Sequence, residues 1–397
     1  MDLSNYHLIQ EFHAKLSGIP VHFFSKPGLP DWDQVTPTTA LLSEEVKPRP
    51  TENVLILGCG HGALPAALAL QENSILLTLV DTSNIALICT HQTLKVNQVE
   101  NFTIQNGITS LPDHIETFDK VVIQLPKGRR LARRWLVEAF YNLKTGGRLY
   151  LAGPNDLGIK PVIRDAQELF GNAILLAYRK GNRVASFRKQ HANPNPLDWK
   201  AAPGIEPGSW ITFPVELDNV HIVIHSLPGV FSEDHLDEGS ALLLEHFDIS
   251  GCRRILDAGC GYGILGIAAA LRSAQKSQQT VVDMVDVNLL AVAAAQQTIE
   301  ANHIQGIRVL ASDLLDSVQD QTYDLILSNP PFHTGKEVDY LVTQSLITQA
   351  HQMLNPGGKL VLVANQFIRY EKLIRETFKK VTIRAQTNRF HVISGRK

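Results

Sequence analysis

The stretch LSNPPFHTG at residues 327–335 places an amide, two prolines and a ring directly behind YDLILSNPP, which reads as a buried strand. Proline fixes φ and lacks an N–H, so the pair Pro330-Pro331 cannot extend a sheet ladder and forms a rigid corner instead. An exocyclic amine on a purine is a poor nucleophile because its lone pair is spread into the ring. Two acceptors on its two N–H bonds favour a pyramidal nitrogen and aim that pair. The Asn329 side-chain oxygen and the Pro330 carbonyl are the candidate acceptors, stiffened by the prolines so that they are in place before the amine arrives. Phe332 offers a flat face on which a base can stack. No strong general base is needed, because the proton becomes acidic only as the nitrogen gains positive charge.

A second group lies in ILDAGCGYGILG, residues 255–266. Gly259, Gly261 and Gly263 allow a tight turn and a close ligand approach, and the following helix offers its positive N-terminus. Spacing alone leaves a dehydrogenase open, since Gly261-x-Gly263-x-x-Gly266 fits the dinucleotide pattern and Asp286 follows twenty residues on. Three acids favour another ligand. Asp257 precedes the loop, where a carboxylate repels a pyrophosphate but suits a cationic amino group. Asp286 ends the next strand, where ribose hydroxyls can be held. Asp313 ends the one after and can accept from an adenine amine. S-adenosylmethionine has this combination of groups.

The elements that must position these residues occur twice. NVLILGCGHG (53–62) resembles RRILDAGCGYG (253–263), LTLVDTS (77–83) resembles VDMVDVN (282–288), and LKVNQVENFTI (94–104) matches IEANHIQGIRV (299–309). FDKVVIQLPK (118–127) matches YDLILSNPPF (323–332), and LKTGGRLYLAG (143–153) matches LNPGGKLVLVA (354–364). Five segments in one order at a nearly constant offset indicate two tandem copies of one α/β unit. Short β-branched runs alternate with helical patterns in each, which predicts a parallel sheet covered on both faces, with ligands at the C-terminal strand edge. The Pro-, Gly- and Asn-rich seam at 190–209 predicts a boundary: residues 1–195, a linker at 196–209, and a catalytic domain at 210–397.

The later half resembles the catalytic half of the ribosomal RNA guanine-N2 methyltransferases, the small-subunit methyltransferase C and large-subunit methyltransferase G group. The resemblance is carried by LPGVFSEDHLDEGSALLL (227–244), LDAGCGYGILG, SNPPFHTG, NPGGKLVLVANQFIRY (355–370) and QTNRFHVI (386–393). The two-copy layout extends it over nearly the whole chain. It implies two tandem Rossmann-like class I methyltransferase domains with seven-stranded sheets, the first degenerate. It further implies S-adenosylmethionine as donor and N2-methylguanosine in ribosomal RNA, of the small subunit, as product. Asp257, Gly259, Asp286, Asp313 and Asn329 are implied around cofactor and amine, residues 230–240 over the methionine end, and Arg389 and Phe390 beside the pocket. Two other readings stay open: methylation of a protein glutamine amide, which also uses an Asn-Pro-Pro corner, and a non-catalytic RNA-binding assembly factor.

The first copy keeps the shape without the chemistry. No carboxylate precedes the first glycine loop, where Ile56-Leu57 stand in place of Asp257-Ala258, and Gln124-Leu125-Pro126-Lys127 replaces Asn329-Pro330-Pro331-Phe332. Asp81 remains opposite Asp286. Charge is gained instead: residues 120–189 hold 15 basic against 4 acidic side chains. Lys127, Arg129, Arg130, Arg133 and Arg134 cluster at helical spacing, which predicts a phosphate-binding surface that positions RNA, joined by Arg389 in the second copy. Trp135 is expected in the core.

The whole chain has net charge −2, ordinary hydrophobic content of 44% and no long apolar run, so a globular protein without membrane span is expected. The N-terminus lacks the basic-then-apolar order of a secretory signal. Its four cysteines form no CxxC pair, and no His/Asp/Glu cluster has metal-ligand spacing, so neither disulfide nor metal is expected. The expectation is a cytoplasmic monomer whose partner is ribosomal RNA or a ribosomal subunit.

Overall fold

A computed structural model of the chain describes residues 6–107, 116–194, 196–330, 337–367 and 370–397, with side chains from 340 in the segment that begins at 337. The chain divides into two compact units, one of residues 7–210 and one of residues 211–397 together with the first six.

The first unit opens with a hairpin of β1 (Gln10–Leu16) and β2 (Ile19–Ser25), followed by α1 (Pro37–Glu45). Then come β3 (Asn53–Leu57), α2 (Ala63–Gln71), β4 (Leu76–Asp81), α3 (Asn84–Val96), β5 (Phe102–Asn106), β6 (Phe118–Gln124), α4 (Arg129–Asn142) and β7 (Leu143–Pro154). It closes with α5 (Ile159–Phe170), β8 (Ile174–Arg179) and β9 (Asn182–Arg188). Seven strands form one sheet in the order β5-β4-β3-β6-β7-β9-β8. The first five run parallel, β9 pairs antiparallel with β7, and β8 pairs antiparallel with β9 and so runs in the direction of the first five.

The second unit repeats this. Its hairpin is β10 (Ile211–Leu217) and β11 (Val220–Ser226), and then come α6 (Glu238–Glu245), β12 (Arg254–Ala258), α7 (Ile264–Gln275) and β13 (Val281–Asp286). The rest is α8 (Leu289–Ala301), β14 (Ile307–Ala311), β15 (Tyr323–Ser328), α9 (Glu337–Met353), β16 (Leu354–Asn365), α10 (Tyr370–Thr377), β17 (Lys380–Gln386) and β18 (Phe390–Arg396). The sheet order, β14-β13-β12-β15-β16-β18-β17, is the same arrangement. The duplication reaches single hydrogen bonds. Asn97 clamps the backbone N and O of His22 in the first hairpin, and Asn302 does the same for Val223 in the second.

The central strands β12 and β15, and β16 from Leu360 to Ala364, are almost wholly buried because helices cover both faces, which is why they read as continuous apolar runs. Strand order reverses at β12, which pairs with β13 on one side and β15 on the other. The crevice beyond the C-terminal ends of β12 and β15 is therefore the switch point where α/β sheets receive ligands.

The boundaries expected at 195 and 210 shift. Residues 196–209 do not hang free but belong to the first unit. Arg134 donates from Nη1 to the carbonyls of Gly204 and Ser209, Arg130 reaches that of Pro203, and Trp199 lies under the Arg133 guanidinium. Composition marked this segment as irregular, which it is, but cannot show that carbonyls of an irregular segment are satisfied by a helix some seventy residues earlier.

Candidate active site

The glycine loop joins β12 to α7. Backbone N–H groups of Gly259 and Cys260 both donate to the Val285 carbonyl, at 2.9 and 3.0 Å, which folds the loop over the end of β13. Gly259 and Gly261 have φ of +74° and +56°, and a Cβ on either would meet nothing within 4 Å. They border open space. Gly266 is glycine for the opposite reason, since a Cβ there would lie 2.4 Å from Met284 Cε. The loop thus presents bare backbone outward and packs tightly inward.

Asp257 is completely buried. Its Oδ2 accepts from the Gly266 N–H at 2.9 Å, and its Oδ1 has no hydrogen-bond partner among the described residues. Burial pushes its carboxyl up to about 7; the Gly266 N–H opposes this and the charge of Asp286 adds to it. A buried acceptor left open is costly unless something supplies a donor, and a ligand ammonium is the suitable kind. Asp286, partly buried, accepts from Gly261 N–H with Oδ2 and Asn288 N–H with Oδ1, both at 2.8 Å. It therefore holds the loop as well as facing the crevice. Asp313, two residues past β14, is 7% exposed and accepts from the Tyr6 hydroxyl at 2.6 Å.

Asn329 follows β15, whose Ser328 hydroxyl donates to the Ala258 carbonyl at 2.8 Å and ties the ends of β15 and β12 together. The Asn329 amide nitrogen donates to Asp237 Oδ2 at 2.9 Å and to Ser240 Oγ at 2.8 Å. Asp237 is the N-cap of α6 and also accepts from Ser240 N–H. Turning the amide over would set its oxygen against the carboxylate, so its orientation is determined. Both donors are consumed, and Oδ1, buried, has no partner among the described residues. It is an acceptor held ready for a donor. Pro330 is buried beside it. Pro331, Phe332 and the neighbouring His333 lie outside the described residues.

The α6 N-terminus completes this wall. Phe390 packs on Gly239, where a Cβ would lie 3.3 Å from its ring, and Arg389 pairs with Glu238 at 2.6 Å, both side chains well exposed. Tyr262, in the glycine loop, donates to the His235 carbonyl at 3.2 Å, linking segment 230–240 to the cofactor loop. Asp237 and Ser240 were missed as functional in the sequence. Their signal was the capping pair Asp237-x-x-Ser240, which reads as a helix start.

The first copy shows what the same position does without the chemistry. Asp81 still braces its loop, accepting from Gly60 and Ser83 N–H groups. Gln124, however, spends its nitrogen on the Gly58 carbonyl at 2.7 Å and its oxygen on the Thr39 hydroxyl at 2.9 Å. The amide is reversed relative to Asn329, and its oxygen is already taken. Trp135, 3% exposed and in the core as expected, stands 3.3 Å from where a Cβ on Gly58 would be. At Gly259, the counterpart, there is open space.

The basic cluster needs correction. Arg134 is 3% exposed and paired with Glu138, so it faces its own chain and cannot meet phosphate. Arg129 and Arg133 both clasp the buried Asp165, whose carboxyl stays below its usual range through these two bonds despite burial. Lys127 is exposed and Arg130 partly so. Helical spacing does put the arginines near one another, but their carboxylate partners partly neutralise them.

All four cysteines are free and buried. One cluster escaped the sequence: Glu11, His13 and His22 bring ligating atoms within 4.8 Å of one another on the exposed face of the first hairpin, because register sets His13 opposite His22. No helix among the described residues is long and apolar enough to cross a membrane.

Comparison with known proteins places this geometry. The chain matches the Methyltransferase small domain family over residues 20–186 and again over 221–394, once per copy. It is 37% identical over 277 residues to the ribosomal RNA small subunit methyltransferase C of Pseudomonas entomophila, covering 69% of this chain and 78% of that one. To the enzyme of the same name from Psychromonas ingrahamii it is 34% identical over 282 residues, covering 70% and 75%. Among solved structures it is similar to the T. thermophilus 16S rRNA N2 G1207 methyltransferase in complex with AdoMet and guanosine, with a TM-score of 0.79, 27% identity and 100% coverage of both chains. The chain belongs to the Methyltransferase small domain family, within the group of the ribosomal RNA small subunit methyltransferase C enzymes.

Proposed function

We propose that the second copy methylates the exocyclic N2 amine of a guanosine in 16S ribosomal RNA, using S-adenosylmethionine. The observation that carries the chemistry is the Oδ1 of Asn329, buried without a partner among the described residues and fixed by Asp237 and Ser240 at the switch-point crevice. The relatives' named activity, and the guanosine in the similar solved structure, favour this over a glutamine amide substrate or a factor without catalysis.

The residues fit the cofactor. The buried, open Oδ1 of Asp257 suits its ammonium, the bare backbone at Gly259 and Gly261 admits its close approach, and Asp286 and Asp313 suit its ribose and adenine. Gly263 positions the start of α7 beneath it. When bound, S-adenosylmethionine supplies an electrophilic methyl group on a sulfonium. Asn329 Oδ1 accepts one N–H of the guanine amine, and the Pro330 carbonyl is the candidate for the other, so the nitrogen lone pair is freed from the ring and aimed. Pro331 stiffens the corner and Phe332 supplies the stacking face in this reading. With the donor bound, the nitrogen aimed by Asn329 and the Pro330 carbonyl would take the methyl group as its bond to sulfur breaks, and the amine proton would then pass to solvent. The base must leave its stack to be reached, which costs a few kcal/mol and favours a flexible RNA site.

The first copy binds no cofactor in this reading, since Gln124 and Trp135 occupy its loop, and serves to position RNA through Lys127 and Arg130, with Arg129 and Arg133 at the margin. Arg389 stands beside the pocket for the same task. Holding both parts in one chain supports action as a monomer, in the cytoplasm where ribosomes are.

The test is transfer of labelled methyl to 16S rRNA or small subunits, with the product nucleoside identified by mass. Wild type should yield N2-methylguanosine. Asn329→Ala should lose about 10²–10³ in kcat, as removal of one preorganised polar group does, while still binding S-adenosylhomocysteine. Unchanged turnover in that variant, or a different methylated nucleoside, refutes the reading.

A further inference from the structure

We propose that Tyr6 is a positioning residue of the cofactor site, holding the Asp313 carboxylate for the amine of the adenine ring. The inference rests on the reading of Asp313 as the adenine acceptor.

Tyr6 precedes the first copy in sequence, yet it groups with the second unit. Its side chain is 4% exposed and its hydroxyl donates to Asp313 Oδ1 at 2.6 Å, across 307 positions of sequence. An O–H donating to a carboxylate at that length is a charge-assisted bond, about twice as strong as a neutral one. It ties down one carboxylate oxygen and so determines where the other points. A buried tyrosine whose hydroxyl meets a ligand-facing acid does more than fill space, since phenylalanine would fill the same space.

The turn that carries Asp313 shows that its placement is specified. Leu314, the next residue, has φ of +47°, a left-handed backbone that leucine rarely adopts. It is held there by neighbours on both sides. Ser312 N–H donates to the Asp286 carbonyl at 2.9 Å, Asp316 N–H donates to the Asp313 carbonyl at 3.1 Å, and Leu315 N–H donates to Gln349 Oε1 at 3.2 Å. Strain maintained by surrounding bonds at a ligand-facing residue is the pattern of a preorganised contact. Tyr6 completes it from the far end of the chain. Tyr6 therefore belongs functionally to the catalytic copy.

The experiment is calorimetric binding of two probes, S-adenosylhomocysteine and its deaminated analogue S-inosylhomocysteine, which lacks the adenine amine. Full-length wild type, Tyr6→Phe and Asp313→Asn are compared. Wild type should prefer the adenosyl probe. Tyr6→Phe keeps the ring and loses only the hydroxyl; it should bind the adenosyl probe about five- to tenfold more weakly, while the inosyl probe changes by less than about twofold and serves as an internal measure of folding. If Tyr6→Phe weakens both probes equally, or neither, the positioning role is overturned even where Asp313→Asn loses the adenosyl preference. If Asp313→Asn keeps that preference, the adenine-site reading itself fails and the Tyr6 role falls with it.

Discussion

Asp257 offers the most quantitative handle on the site. Its Oδ1 is buried without a hydrogen-bond partner among the described residues, and burial lifts its carboxyl from the usual 3.8 to about 7. That difference disfavours the ionised form by about 4 kcal/mol in the ligand-free protein. A bound ammonium needs the ionised form. At pH 6 only about one tenth of the carboxyl is ionised and at pH 8 about nine tenths, so S-adenosylhomocysteine should bind about tenfold more tightly at pH 8. Asp257→Asn cannot titrate, and the ratio of wild-type to variant affinity cancels any titration of the ligand. Calorimetry from pH 6 to 8 should show that ratio rising about tenfold. Stability should move in the opposite sense. The unfolded chain gives up this proton near pH 4 and the folded one near 7, so the contribution of Asp257 to stability is greatest at low pH and is lost as pH rises between them. Urea unfolding at pH 5 and 8 should therefore show a loss in wild type that the variant lacks. A wild-type to variant affinity ratio independent of pH would refute the assignment of Asp257 to the ammonium.

Ser240→Ala removes one of the two acceptors that orient the Asn329 amide, and steady-state kinetics should show kcat falling about five- to tenfold with the cofactor KM unchanged. Arg134→Ala should destabilise the protein by about 3–5 kcal/mol in urea, because it breaks the buried Arg134–Glu138 ion pair, while leaving the salt dependence of binding to a 16S rRNA fragment unaltered. Replacing Lys127 and Arg130 together by alanine should reduce the slope of log K against log salt by about 1.5, measured by filter binding, with little change in stability.

The outcome at each of these residues follows from how far its decisive partner lies along the chain. The duplicated order of strands and helices was legible because alternation of apolar runs and turn residues is a local property, and two copies printed it twice. The glycine loop was legible for the same reason, since conformational freedom at Gly259 depends on the residue itself. The basic helix was misjudged at Arg134, where spacing indicates which side chains share a face but not that Glu138 and the carbonyls of Gly204 and Ser209 enclose one of them.

The sequence by itself determined the fold, the duplication, the loss of Asp257 and the prolines from the first copy, and the class of chemistry. Only the tertiary structure decided which way each amide points. Asn329 and Gln124 occupy matching strand ends, and either side chain could accept from an amine. Asp237 and Ser240 turn the first so that its oxygen is left over among the described residues, and Thr39 and Gly58 turn the second so that its oxygen is taken. A side chain with both a donor and an acceptor takes its orientation from what surrounds it, and here those surroundings come from segments far away along the chain.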